Sequence, residues 1–253
     1  MKRRLTEAQV IEHFHLAFLQ VLQTRLDQTR YVVKGGVNLR YFFDSQRYSE
    51  DIDLDAVEIE PWALEEKVDK VLASSATTTQ LRSGGLEIQE STKPKQTDTT
   101  QRWKVLIEAT GHRELVRTKI EFSHRPSNPH RLLEAVPDHV VAPYAVRAPT
   151  MLHYLADAAT EQKVEALARR SETQARDVFD LELLLRTHRE VVVGGLIDEE
   201  TLEAATDRAF GLPFEAFQDQ VLPFLDLDIA ELYDDPETWR QMQAFVADRL
   251  KGS

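Results

Sequence analysis

Apolar positions recur along this chain with two different periods, and the change from one to the other divides it. Val10, Phe14, Ala17, Phe18, Val21 and Leu22 recur at helical spacing, so Thr6 to about Gln28 reads as a helix with Thr6 as its cap. Tyr31-Val32-Val33 is a short β-prone run that stops at Gly35-Gly36. The spacing then predicts a short helix over Val37–Phe43, with Leu39, Phe42 and Phe43 on one side. Asp51-Ile52-Asp53-Leu54-Asp55 alternates acid with aliphatic, which on a strand puts three carboxylates on one face and Ile52 and Leu54 in the core. Pro61 opens another helix with Trp62, Leu64, Val68, Val71 and Leu72 as apolar positions. The polar stretch Ser74 to Ser83 reads as a loop.

Three β-prone runs follow, Leu86–Glu90, Trp103–Ala109 and Leu115–Ser123, the last two joined across Gly111-His112 as an antiparallel hairpin. Arg125 to Pro149 holds Pro126, Pro129, Pro137 and Pro143 and reads as a boundary, with one short strand at His139–Val141. Beyond it the period is helical: Thr150–Arg170, Arg176–Thr187, Glu199–Phe210 and Pro236–Leu250. The expected architecture is α+β, with residues 1–148 carrying the sheet and an N-terminal helix, and residues 149–253 forming a helical domain.

Composition narrows the chemistry. With no cysteine there is no disulfide frame, no thiolate nucleophile and no Cys-ligated zinc. No apolar run approaches the ~20 residues of a membrane span. The basic start Met1-Lys2-Arg3-Arg4 leads into an amphipathic helix and not an apolar signal core, so a cytoplasmic location is expected. The net charge of −12 is unevenly spread: from Asp198 onward fourteen acids oppose four bases, giving −10 and leaving −2 for the rest. A nearly neutral body ahead of an acidic segment does not exclude a nucleotide or RNA substrate.

Adjacent like charges on a strand face repel, and Asp is depleted in strands. Two carboxylates at i and i+2 can reach one hard divalent ion, and Mg²⁺ commonly takes one or two carboxylates plus substrate phosphates. The alternative is an edge strand with a solvated acidic face. Glu121 lies on a strand face among basic residues. It joins the same ion if its strand lies beside Asp51–Asp55; otherwise it is a surface acid paired with a neighbouring Lys or Arg. Lys163, Leu167 and Arg170 project from similar directions on one helix, and Asp177 and Asp180 sit one turn apart near the start of the next, where ordinary capping also accounts for them. His13 and His15 read as helix surface or core edge and are assigned no chemistry.

In order, K-G-G-x-x-L-R (Lys34 to Arg40), R-x-S-x-D-x-D (Arg47 to Asp53), the strand carboxylate Glu121, K-x-x-A-L-x-x-R (Lys163 to Arg170) and R-D-x-x-D-L (Arg176 to Leu181) resemble the AbiEii/AbiGii toxin family, minimal nucleotidyltransferases of the DNA polymerase beta superfamily related to the MenT toxins. The resemblance spans roughly residues 30–190 and leaves the acidic helical segment outside. It implies a small mixed nucleotidyltransferase-type sheet flanked by helices, with a helical domain that closes over the nucleotide. It also implies transfer of a nucleoside monophosphate from a nucleoside triphosphate to an acceptor, most often a tRNA 3′ end, with a cognate antitoxin as partner.

On that resemblance Asp51 and Asp53 hold Mg²⁺, and Glu121 completes a second metal position or acts as base. Backbone N–H groups at Gly35 and Gly36 approach phosphate oxygens, and Lys163 meets the β/γ-phosphates, with Arg47 and Arg170 as further candidates for that job. Asp177 orients Lys163 or the nucleotide, while Asp180 packs helices. The wider superfamily has Gly-Ser at the glycine turn where this chain has Gly35-Gly36; its serine is Ser49 instead, which the MenT likeness makes a candidate modification site. Two other readings stay open. One is a catalytically inactive nucleotide- or partner-binding module of the same fold; the other is a metal-dependent nuclease, which leaves the glycine turn and the Lys163 helix unexplained.

Overall fold

Thr6 opens the first helix through a capping box: its hydroxyl accepts from the Gln9 N–H, and the Gln9 side chain accepts from the Thr6 N–H. In the computed structural model, which describes residues 4–125 and 128–252, this helix is α1 (Glu7–Leu22). The start Met1–Arg3 and the boundary residue Pro126 lie outside the described residues. There follow β1 (Tyr31–Lys34), α2 (Gly35–Phe42), β2 (Ile52–Ala56), α3 (Pro61–Leu72), α4 (Ser75–Ser83), β3 (Leu86–Gln96), β4 (Thr100–Ala109), β5 (Val116–Ser123), β6 (Arg131–Ala135), α5 (Asp138–Val141) and β7 (Thr150–Tyr154). The helices α6 (Ala156–Arg169), α7 (Ala175–Thr187), α8 (Glu199–Gly211), α9 (Phe214–Gln220), α10 (Leu227–Tyr233) and α11 (Pro236–Lys251) complete the chain.

The strands form one mixed sheet in the order β3-β4-β5-β2-β1-β7-β6. β2 runs antiparallel to β1 and parallel to β5, β1 runs parallel to β7, and the hairpin across Gly111-His112 pairs β4 with β5 antiparallel as the alternation predicts. Trp103, Val105 and Ile107 of β4 face the core with Val116, Ile120 and Phe122 of β5, and α1 buries Phe14, Phe18 and Leu22 in the same cluster. The described residues group into two compact units: 1–42 with 48–154, and 43–47 with 155–253. The second unit has its own core, in which Leu181, Phe217, Trp239 and Val246 of α7, α9 and α11 are buried.

Four sequence expectations are corrected. Ser74–Ser83 is a helix and not a loop: Ser74 caps it through the Thr77 N–H, and Thr77 and Leu81, one turn apart, are its buried side. His139–Val141 lies in α5 and not in a strand. Thr150–Tyr154 is β7 and not the start of a helix, because pairing beside β1 and β6 buries it on both faces and erases any alternation. His15 is buried, not on the helix surface, and so is His13.

Candidate active site

Two clusters of charged side chains hold the residues singled out from the sequence, one in each unit.

On the sheet, parallel pairing of β2 with β5 puts Asp53 opposite Glu121, and the antiparallel partner on the other side puts Asp53 opposite Lys34. The four acids here have different surroundings. Asp55 is buried, accepting from Lys34 Nζ at 2.6 Å and from the Tyr154 hydroxyl at 2.6 Å. Asp51, just before β2, is ion-paired with Lys119 and accepts from the Lys119 N–H at 3.2 Å. Burial pushes the Asp51 carboxyl above its ordinary range; Lys119 opposes the shift, and the charges of Asp53 and Glu50 add to it. Glu121 accepts from Arg102 Nε at 2.6 Å. Asp53 alone of the four has no hydrogen bond or ion pair among the described residues.

Gly35 stands over this carboxylate. Its φ is +63°, and a Cβ there would lie 3.2 Å from Asp53 Oδ2. Both the left-handed backbone and the close approach favour glycine. Ser49, at the turn into β2, donates from its hydroxyl to the Asp51 carbonyl at 2.8 Å. Of the bases that serve these acids, Arg102 and Lys119 are not among the sequence candidates, and Lys34 opens the K-G-G-x-x-L-R motif without a role assigned to it.

A hard divalent ion suits this set of oxygen donors, of which the Asp53 carboxylate is the one that no base neutralises among the described residues. Among the described residues, however, no group of three or more His, Cys, Asp or Glu side chains is gathered for a metal.

In the helical unit, Asp177 and Asp180 on α7 are fully buried and share the Lys163 ammonium of α6, at 3.0 Å from Asp177 Oδ1 and 2.5 Å from Asp180 Oδ2. The Arg47 guanidinium, also buried, meets Asp180 through Nη2 at 2.8 Å from Oδ2 and Nε at 3.2 Å from Oδ1. Arg170 Nε lies 3.0 Å from Asp177 Oδ2, within ion-pair distance but without hydrogen-bond alignment; its side chain is 41% exposed. Burial alone would raise the Asp180 carboxyl, yet Arg47 and Lys163 together hold it down to about 2. The residues of the two basic motifs therefore form one network with the α7 acids, and Asp180, read from the sequence as a packing residue, is one of its two buried anions. Arg47, read as a phosphate candidate, has its guanidinium against Asp180.

Among the described residues no helix is long and apolar enough to cross a membrane. The profile of the family described as "Nucleotidyl transferase AbiEii toxin, Type IV TA system" matches residues 17–249. The match reaches well past the 30–190 expected from motifs and takes in α8 and most of α11, which contribute to the second core. Among solved structures, JHP933 from Helicobacter pylori is similar at a TM-score of 0.57 and 19% identity, with 99% of this chain and 96% of that one covered. A second, described as "putative nucleotidyltransferase from H. pylori", is similar at 0.57 and 20%, covering 98% of each. At such identity these two speak for the fold alone. A search of curated proteins finds no match. With the family profile spanning nearly all of the described sheet and helices, this chain belongs to the AbiEii nucleotidyltransferase toxins of type IV toxin–antitoxin systems.

Proposed function

We propose that the enzyme transfers a nucleoside monophosphate from a triphosphate to the 3′ end of tRNA in a Mg²⁺-dependent reaction, and that a cognate antitoxin restrains it in the cytoplasm. The observation that carries the Mg²⁺ assignment is Asp53: a carboxylate on a strand face without a hydrogen bond or ion pair among the described residues, opposite Glu121 and beneath Gly35, where a side chain would be strained and would crowd it. Asp51 and Asp53 would hold the ion, with Glu121 as third ligand or as base toward the acceptor hydroxyl. Bound there, Mg²⁺ would neutralise triphosphate charge and so favour loss of pyrophosphate.

The chain's own groups do the remaining work in this reading. Backbone N–H groups at Gly35 and Gly36 meet phosphate oxygens, since no Cβ intervenes. Lys163 and Arg170 supply positive charge to the β/γ-phosphates, Asp177 orients Lys163, and Arg47 holds Asp180 so that Lys163 is shared and not captured by one acid. Ser49, with its hydroxyl at the entry to β2, is the candidate for inhibitory modification.

Incubating the purified protein with Mg²⁺, bulk tRNA and each labelled triphosphate tests this. Asp53→Asn should lower incorporation at least about 100-fold, near 3 kcal/mol of transition-state stabilisation, with an unchanged melting temperature. If wild-type protein labels no RNA with any of the four, the transfer reading fails. The ion pairs Asp51–Lys119 and Glu121–Arg102 favour a second reading, a nucleotide-binding module without turnover, because they occupy two of the three carboxylates. Triphosphate binding without transfer would select it.

A further inference from the structure

One face of the sheet carries bases on both sides of Glu121 and Asp53. In cross-strand register, Lys95, Arg102, Glu121, Asp53 and Lys34 form a single row across β3, β4, β5, β2 and β1. The neighbouring row sets Lys104 directly opposite Lys119, and the next sets Arg117 opposite Leu106. Like charges directly opposite each other destabilise a sheet. The far end of the same face shows how such a cost is normally offset: Glu87 lies opposite Glu108, but Arg82 donates to Glu87 at 2.9 Å and Gln89 to Glu108 at 2.6 Å.

Three of the bases receive no such treatment. Arg102 and Lys119 serve Glu121 and Asp51, whereas Lys95, Lys104 and Arg117 are exposed and have no hydrogen bond or ion pair among the described residues. The same face holds one exposed acid without a hydrogen bond or ion pair among the described residues, Glu90 opposite Leu106, so Lys95, Lys104 and Arg117 leave a local surplus of base in a chain of net charge −12. Strands lie about 4.8 Å apart, so Lys104 on β4 is two strands, about 10 Å, from the β2 carboxylates. The outward positions of β4 and β5, from Arg102 to Glu108 and from Arg117 to Glu121, include no aromatic side chain on which a base could stack.

We propose that this face of β3, β4 and β5 docks the sugar–phosphate backbone of the acceptor RNA, with Lys104, Arg117 and Lys95 gripping phosphates beside the carboxylates at which the acceptor hydroxyl reacts. It rests on the transfer reading above for the identity of the polyanion. Contacts to phosphate without stacking or base edges hold RNA irrespective of sequence and leave selectivity to other parts of the molecule.

Titrating full-length protein into labelled bulk tRNA across a salt series tests the surface. The Lys104→Gln/Arg117→Gln pair should bind at least tenfold more weakly at low salt. Its plot of log affinity against log salt should be shallower by about 1.4–1.8, the equivalent of two lost phosphate contacts. Mg²⁺-dependent triphosphate binding and the circular dichroism spectrum, measured on the same samples, establish that the pocket and fold persist, and Lys104→Glu should deepen the tRNA defect. Unchanged tRNA affinity and slope in the pair, no tRNA binding by wild type, or tighter wild-type binding to polyglutamate than to tRNA would each overturn the proposal. Loss of tRNA binding in the pair together with no nucleotide transfer by wild type would leave the surface standing and remove the transfer reading.

Discussion

Arg47 and Asp180 show what a single buried pair does in this protein. Asp180 has no exposed surface, and an isolated carboxylate there would be neutral; it stays ionised because Arg47 and Lys163 face it. Arg47→Ala leaves a buried charge with one partner fewer, and should cost about 3–5 kcal/mol of stability in urea unfolding at neutral pH. A loss below about 1 kcal/mol would mean that Lys163 alone suffices. From the sequence, Asp177 and Asp180 are visible as acids one turn apart, and Lys163 and Arg170 as bases on one helix face. What was not legible is that Arg47, over a hundred residues earlier, closes the network: its motif looks the same whether the guanidinium meets a phosphate or a carboxylate.

At the scale of elements, α1 is tied to β5 and to the turn before β2 by a chain of polar groups. The Thr118 hydroxyl donates its one proton to the Glu50 carbonyl at 2.7 Å, so the His15 Nε2, 2.8 Å from Thr118 Oγ1, must be the donor to it. Burial drives the His15 imidazole down to about 3, so at neutral pH it is uncharged and its one proton sits on Nε2. A folded value below the unfolded value of about 6.5 contributes stability above that pH, and the contribution is lost as pH falls from 6.5 toward 3. Urea unfolding at pH 7, 6 and 5 should show wild-type stability falling, and His15→Gln should remove about 0.7 kcal/mol of that fall between pH 7 and 6 and about 1.2 kcal/mol between pH 6 and 5. His153, also lowered by burial, accounts for part of what remains. Equal slopes for wild type and His15→Gln would refute the assignment.

For the whole molecule, two separate cores imply two separately read stabilities. Trp239 of α11 is buried, stacked on Phe217 at 4.8 Å between ring centres, and donates from its indole to the Leu212 carbonyl at 3.2 Å. Trp239→Ala should cost about 3–5 kcal/mol. Hydrogen exchange should quicken in α7, α9 and α11 while the sheet amides of β4 and β5 keep their protection. Uniform loss of protection would show that the two cores unfold as one.

Local pattern alone determined the helix α1, the strands β2, β4 and β5, and the hairpin across Gly111-His112. Each depends on a period or a capping residue that acts within a few positions of chain. Tertiary structure decided which strand lies beside which, and hence that Glu121 meets Asp53 and that Lys104 meets Lys119. It also decided that Asp55 is buried by Lys34 and Tyr154 while Asp53 has no partner among the described residues, and that Thr150–Tyr154 joins the sheet. Pairing of distant segments depends on the burial of both faces and on register, and neither leaves a mark on the sequence of one strand by itself.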